Sequence, residues 1–382
     1  MKVWIVNPFD NLPLEGNRPQ RYWLLARAFV RAGHDVTLWT SDFSHSRKAK
    51  RRMSVEGPRL TVEGFDLVMV ETPEYGKNIG LARIRSHRAF ARRWRAFAEQ
   101  ETPPDVLVAS LPPLALGKEA LSFCRKRDVK FVVDVQDAWP ETFERVVPRW
   151  MLAPLRGIAK TIYCGADAVV GVAQRYVDLA RSYGACAPMK VFRLGIEQRP
   201  CGRVAERRGA GLRLVYAGNM GASYDLETVI EGVKSLADVT LDLAGSGPKE
   251  PELRNLAEGC ARIRFHGYLD EGALCALLET SDAALIPMFD SSCVGVPGKL
   301  ADYAAAGLPV LNTLHGETER LLAEYGAGAT YAAGDVAAFR TAVMELQGRD
   351  CEAMGRGARH LAREFDASAV YGGYAQWVEC LV

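Results

Sequence analysis

Lys299 and Asp302 stand three residues apart in VGVPGKLADYAAAGLPVL, the stretch from Val294 to Leu311. Gly295, Pro297 and Gly298 make a turn. Lys299 to Ala306 reads as one short alanine-rich helix closed by Gly307, and Val310-Leu311 as the strand that follows. The spacing puts a cation and a carboxylate on one helix face near its N-terminus. An ammonium suits phosphate, and a carboxylate suits the paired hydroxyls of a ribose, so the two match the ends of a ribose-diphosphate. The bland alternative is an exposed ion pair worth about 0–1 kcal/mol. Two more glycine loops follow apolar runs: YAGNMG (Tyr216–Gly221) offers Gly218 and Gly221, and AGSGPKE (Ala244–Glu250) offers Gly245. Glycines admit close backbone approach to a ligand, and three such loops on one sheet edge are a stronger signal than any one alone.

Other chemistry-bearing residues are fewer. Asp134 and Asp137 in VVDVQDAWPE could form an acid/base pair; Asp134 alternates into a strand, which favours Asp137 as the functional one. His45 lies in a polar loop and could touch an acceptor. His266 sits at a strand end, where it reaches a nucleotide or satisfies a neighbour, and His34 follows a glycine turn as a structural residue. No His/Cys/Asp cluster has metal-ligand spacing. The nine cysteines include no Cys-x-x-Cys pair and are odd in number, which points to reduced thiols.

A chain of 382 residues suits two domains. Apolar runs such as KVWIV, DVTLW, PDVLVASL and KFVVDV alternate with helical segments, which implies a parallel sheet covered on both faces. A polar, glycine- and arginine-containing stretch interrupts the pattern before LRLVYAGN restarts it. The expected layout is a first domain over 1–195, a linker over 196–211, a second domain over 212–364, and a C-terminal helix over 365–382 that can cross back to the first domain. In open sheets of this kind, ligands bind outside the carboxyl ends of the strands. No apolar run approaches the roughly 20 residues that span a bilayer, and a cytoplasmic location is expected.

The net charge of +2 hides an asymmetry. Residues 1–200 hold 32 Lys/Arg against 21 Asp/Glu, and the remainder 16 against 25. The basic residues cluster in HSRKAKRR and in RIRSHRAFARRWR (Arg83–Arg95). The second cluster interleaves Arg with Trp and Phe, and so basic a first half suits an anionic partner, whether nucleic acid, an anionic membrane face or a phosphate-bearing substrate, or else a solvated face.

Taken together, the second-half segments VYAGNMGASYDLETVIEGV, LDLAGSGPKEPELRNLA, IRFHGYLDEGALCALLETSDAALIP and VPGKLADYAAAGLPVLN fall in an order that resembles the retaining glycosyltransferases of family 4. In the first half, EGNRPQRYWLLARAFVRAGHDVTLWT is similar to the family's glycine loop and first helix. SLPPLALG and VVDVQDAWPE resemble the subgroup that adds N-acetylated amino sugars to bacterial surface polysaccharides. The resemblance implies a GT-B fold, two Rossmann-like doubly wound α/β domains facing across a cleft. It implies transfer from a nucleotide-sugar, chiefly a UDP-sugar, to a glycan or polyprenyl-diphosphate-linked acceptor at the inner membrane face, with no metal and no nucleic-acid partner. Carried over by position, Gly218, Asn219, Gly221 and Gly245 line the donor diphosphate with Pro297 and Gly298. Lys299 meets the phosphates and Asp302 the ribose. Gly16 and Asn17 lie under the transferring sugar, and Asp137 and Glu141 face the cleft from the first domain on the catalytic and acceptor side; His45 is an acceptor-side candidate from its polar loop alone. Val294 stands where the family's first signature glutamate would be, and GASYDL replaces its usual lysine-glycine pair. Two other classes stay open: a nicotinamide-dependent oxidoreductase, prompted by the Gly-x-Gly of AGSGPKE although Glu250 takes the third glycine's place, and a non-catalytic scaffold of the same fold.

Overall fold

The computed structural model describes residues 1–51, 59–77, 80–144, 147–197, 211–289, 294–348 and 350–382. The chain divides into two compact units, Met1–Glu197 with Ala367–Val382, and Gln198–Asp366. Most of the expected linker, residues 198–210, lies outside the described residues.

In the first unit the strands are β1 (Lys2–Val6), β2 (Asp35–Ser41), β3 (Phe43–Ser44), β4 (Ala49–Lys50), β5 (Arg59–Val62), β6 (Phe65–Val70), β7 (Val106–Leu111), β8 (Lys130–Val135), β9 (Ala168–Gly171) and β10 (Met189–Val191). The helices are α1 (Arg21–Arg31), α2 (Leu81–Ala98), α3 (Leu114–Arg127), α4 (Ala153–Gly165) and α5 (Gln174–Ser182). Eight strands form one sheet in the order β10-β9-β8-β7-β1-β2-β6-β5, parallel except for the edge pair β5–β6. All six residues of β7 are buried, as a strand covered on both faces requires. Three features escape a search for apolar runs: the two-residue β3–β4 hairpin, the antiparallel edge β5, and the three-residue β10, each too short or too exposed to leave a pattern.

The second unit has β11 (Leu212–Ala217), β12 (Val239–Ala244), β13 (Ile263–Gly267), β14 (Ala283–Ile286), β15 (Val310–Asn312) and β16 (Gly328–Thr330). Its helices are α6 (Leu226–Lys234), α7 (Glu250–Leu256), α8 (Glu271–Glu279), α9 (Lys299–Ala305), α10 (Glu317–Glu324), α11 (Val336–Gly348) and α12 (Cys351–Ala362). The all-parallel sheet runs β13-β12-β11-β14-β15-β16. The chain moves outward from β11 to β13 and then returns to β14 on the other side, so the order reverses at β11. A crevice at the carboxyl ends of β11, β12 and β14 is where such a sheet receives a ligand. Asp225 and Asp270 fix the starts of α6 and α8, accepting from the Thr228 and Ala273 amides at 3.4 and 2.8 Å.

The C-terminal helix α13 (Ala367–Glu379) belongs to the first unit and packs on α1. Its Tyr371, Tyr374 and Val378 join the core of that unit with Tyr22, Trp23 and Phe29. The Tyr374 ring stacks flat on Phe192 at 4.7 Å. A buried pair anchors this corner: Arg21 Nε donates to Asp134 at 2.9 Å, and the Tyr374 hydroxyl donates to the same carboxylate at 3.1 Å. Asp134 is 0% exposed and works inside the core.

Candidate functional site

The second unit gathers its glycine loops on one edge. Gly218 follows β11 with φ +150° and Gly245 follows β12 with φ +117°, conformations that side chains with a Cβ rarely adopt. A Cβ on Gly245 would lie 2.0 Å from the Gly218 carbonyl oxygen, so the two loops meet backbone to backbone. The Gly218 amide donates to Ala244 at 2.9 Å, that of Met220 to Ser246 at 2.9 Å, and that of Gly245 to Gly267 at 2.6 Å. These bonds lock three strand ends into one floor.

Above that floor lies a cavity of about 580 Å³. One side is polar, with Gly218, Asn219, Gly245, Ser246, Lys299 and Asp302; the other carries Tyr268, Leu269, Leu274 and Leu278. Tyr268 is 86% exposed at the rim. Buried Tyr303 ties α9 to the floor, because the Ala217 amide donates to its hydroxyl at 2.8 Å.

Lys299 opens α9 and is half-buried as a residue, while its Nζ is buried with no hydrogen-bond partner among the described residues. The Nζ lies 4.0 Å from the ring centroids of both Tyr216 and Tyr224, which meet edge to face at 5.6 Å. A Cβ on Gly218 would come within 2.9 Å of it. Burial lowers the Lys299 pKa to about 7. Among the described residues the exposed ion pair with Asp302, the bland reading of the spacing, is not formed: the Nζ lies over two aromatic rings, and the half-buried Asp302 faces the cavity from one turn along.

Of the expected donor residues, Gly218, Asn219, Gly245, Lys299 and Asp302 meet on this cavity. Gly221, Pro297 and Gly298 are not among its lining residues, and Gly298 is exposed. Gly221 is buried against the Asn219 side chain, and the carbonyls of Pro297 and Gly298 accept from Leu300 and Ala301, both at 3.0 Å, to start α9. His266 is taken by the buried Asp242 at 2.7 Å. Sequence reasoning missed Tyr216, Tyr224 and Tyr268. Tyr216 reads as a core position of an apolar strand, and Tyr224 sits in GASYDL, which shows only a missing lysine.

The first unit carries the remaining expected residues. Gly16, with φ +76°, closes a short turn, Pro13–Glu15, and is exposed; Asn17 donates to the Leu12 carbonyl at 3.2 Å. Both Asp137 oxygens already accept hydrogen bonds: from the Ala138 amide at 2.8 Å and the Thr142 hydroxyl at 3.0 Å, and from the Trp139 indole at 3.1 Å. That pattern closes its own loop. Glu141 pairs with Arg156 and accepts from the Tyr183 hydroxyl. His45 meets the Tyr75 hydroxyl at 2.5 Å, and burial together with Lys48 and Arg83 pushes its pKa down to about 4. It belongs to a cluster of rings with Phe9, Tyr75, His87 and Trp139, over which Arg83 lies 5.9 Å from Phe9 and 5.1 Å from Trp139. Buried His87 is pushed to about 3 by burial and Arg83.

The basic helix α2 is thus split in function. Arg83 turns inward to the rings and Arg95 pairs with Glu99 at 2.6 Å, while Arg85, Arg88, Arg92 and Arg93 are exposed beside Leu81, Ile84 and Phe97. Among the described residues no helix is long and apolar enough to cross a membrane, and no group of three or more acidic, His or Cys side chains could hold a metal. Cys275 is disulfide-bonded, which departs from the expected set of reduced thiols; among the described residues six other cysteines form no disulfide.

Two domain families match the chain. Residues 19–195 match the family described as glycosyl transferase 4-like domain, and residues 211–348 the family described as glycosyl transferases group 1. A Salmonella typhimurium protein, WcaL, provisionally described as a colanic acid biosynthesis glycosyltransferase, is 24% identical over 221 residues, 53% of this chain and 54% of its own. The chain thus matches about half the length of that curated relative. Sucrose-phosphate synthase of Thermosynechococcus elongatus superposes over 100% of this chain and 98% of its own with a TM-score of 0.75 at 13% identity. WaaG, a glycosyltransferase involved in lipopolysaccharide biosynthesis, does so over 98% and 99% at 0.67 and 14% identity. Anabaena HepE, solved with UDP, does so over 100% of both chains at 0.68 and 12% identity. These likenesses give two Rossmann-like parallel-sheet domains of the GT-B type.

Proposed function

The chain belongs with the glycosyltransferases by the domains of both its units, and from that premise we propose that it moves a sugar from a nucleoside-diphosphate donor, chiefly a UDP-sugar, to a glycan or polyprenyl-diphosphate-linked acceptor in surface-polysaccharide synthesis. The observation that carries this reading is the Lys299 Nζ, buried with no hydrogen-bond partner among the described residues at the wall of a glycine-floored cavity. A cation so placed lacks the anion that would satisfy it, and a diphosphate supplies two. Asp302, on the same wall, holds the ribose hydroxyls. The aromatic and leucine side receives the base and holds it by apolar contact. HepE's structure with UDP supports this choice of nucleotide.

In the reaction, negative charge develops on the leaving diphosphate, and Lys299 acts where it develops. The departing phosphate takes the acceptor proton, and the sugar, N-acetylated in this reading, keeps its anomeric configuration. Asp137, with both oxygens engaged, serves as a loop clamp beneath the acceptor side rather than as a general base. The ring cluster under Arg83 offers stacking faces for an acceptor glycan. The exposed arginines and apolar residues of α2 contact an anionic membrane surface.

A thermal-shift and calorimetric screen of nucleotides tests the donor reading. UDP and UDP-N-acetylhexosamines are expected to bind in preference to NAD. Tighter binding of NAD, or release of no UDP from any UDP-sugar with lipid-linked acceptors, contradicts it. Neutralising Arg85, Arg88 and Arg92 together is expected to cut co-sedimentation with vesicles rich in phosphatidylglycerol; an unaltered bound fraction returns α2 to a solvated face.

A further inference from the structure

We propose that Tyr224, together with Tyr216, is a positioning residue that keeps the Lys299 amine dry and without hydrogen bonds until a diphosphate enters, so that nucleotide binding draws a proton from solvent onto Lys299. The proposal rests on the reading of the cavity as a diphosphate site. Its ground is geometric. The Nζ is buried, has no hydrogen-bond partner among the described residues, and lies 4.0 Å from each of two ring centroids that are 5.6 Å apart. Tyr216 is held rigidly, since its hydroxyl donates to the Asn219 carbonyl at 2.5 Å. Tyr224 is held at the far end by its amide, which donates to Gly221 at 3.1 Å, and by its bridge to Met288.

Among the described residues the groups around the amine offer no hydrogen-bonded counter-charge. From β11 comes the Tyr216 ring, from the loop before α6 the Tyr224 ring, and from the loop after β11 the backbone of Gly218. On α9 itself, Tyr303 turns its hydroxyl to the Ala217 backbone, and Asp302 faces the cavity without bonding the Nζ. Burial acts on Lys299, whose pKa falls to about 7. Ring faces attract a cation, but more weakly than the water they replace. An incoming phosphate oxygen supplies the missing charge-assisted bond and restores the protonated form.

The balance is one proton. At pH 8 an amine of pKa about 7 is about one-tenth protonated, so complete protonation in the complex takes up about 0.9 proton. A terminal phosphate ionises near pH 6 and contributes little at pH 8. Above pH 7, affinity for UDP therefore falls by up to about tenfold per pH unit; below pH 7 Lys299 contributes no slope.

The test follows the Lys299 13Cε resonance of the full chain through pH, assigned by its absence in K299M, in the wild type, Y224F and Y224S, with and without UDP. Calorimetry at pH 8 in two buffers of different ionisation enthalpy counts protons. The expected midpoint is near 7 in the wild type and in Y224F, which keeps the ring face, and at least one pH unit higher in Y224S, which admits water. UDP is expected to raise the wild-type midpoint above 9 and to take up about 0.9 proton. A wild-type midpoint in the ordinary lysine range overturns the tyrosine cage, whatever binds in the cavity. Equal midpoints in the wild type and Y224S overturn the role of Tyr224. A wild-type midpoint near 7 that UDP leaves unmoved overturns the coupling and the nucleotide reading, and leaves the cage standing.

Discussion

Replacing Lys299 by methionine separates what this residue takes from the fold and what it gives to the site. Methionine keeps the length and apolar stem of the lysine and removes its charge. The fall of the Lys299 pKa from 10.5 to about 7 corresponds at pH 7 to about 4 kcal/mol of lost folding free energy, to order of magnitude. Losing two cation–ring contacts, worth about 0.5–2 kcal/mol each, offsets part of this. K299M is therefore expected to exceed the wild type in stability at pH 7 by up to about 3 kcal/mol. The sign of the pH dependence follows from the lowered folded-state pKa. Between pH 7 and 10.5 the unfolded chain binds more protons, so wild-type stability rises with pH, by up to about 1.4 kcal/mol per unit. That slope vanishes in K299M, and its advantage shrinks as pH rises. UDP affinity should move the opposite way. Loss of a charge-assisted bond worth about 1.5–3 kcal/mol weakens binding about 10- to 150-fold. Urea unfolding of the full chain at pH 7, 8 and 9, paired with UDP titration, reads both effects. A K299M protein no more stable than wild type, with a pH-independent difference, refutes the burial argument. Unchanged UDP affinity refutes the phosphate contact.

The remaining predictions concern other parts of the architecture. G245A puts a Cβ 2.0 Å from a backbone carbonyl at φ +117°; it is expected to cost several kcal/mol, about 3 or more, and to lower the thermal midpoint of unfolding, whereas an unshifted midpoint means the two loops are not in contact. D302N is expected to weaken UDP binding about tenfold while leaving the affinity for a 2′,3′-dideoxy analogue unchanged; equal losses for both ligands remove the ribose role. R21M leaves the buried Asp134 carboxylate without its cation and is expected to cost about 3–5 kcal/mol in urea unfolding and to speed amide exchange in α13; a loss under 1 kcal/mol shows that the pair does not anchor the helix.

Much of this was legible in the residues. The near-continuous apolar runs specify buried parallel strands, because both faces of each strand must be covered. The Pro-Gly turn before Lys299 and Gly307 after Ala306, with φ +69°, mark α9. The glycines that need positive φ, Gly218 and Gly245, could be picked out as the loop positions where backbone must approach something. Partnership was not legible. Spacing alone pairs Lys299 with Asp302, but Tyr216 lies 83 positions earlier in the chain and Tyr224 lies 75, and only the sheet order brings their rings to the amine. Asp137 shows the same limit: its sequence context suggests an acid or base, while the fold of its own loop uses both of its oxygens. The basic run of α2 read as one surface, yet Arg83 points to rings donated by three separate loops.

The central claim is that the cavity of the second unit holds a nucleoside diphosphate with its phosphates on Lys299. A crystal structure of the full chain grown with UDP tests it most directly. The account predicts a diphosphate oxygen about 2.7–2.9 Å from Lys299 Nζ, the ribose hydroxyls on Asp302, and the uracil against Tyr268 and Leu269. UDP bound with its diphosphate away from Lys299, or a cavity left empty at millimolar UDP, contradicts it.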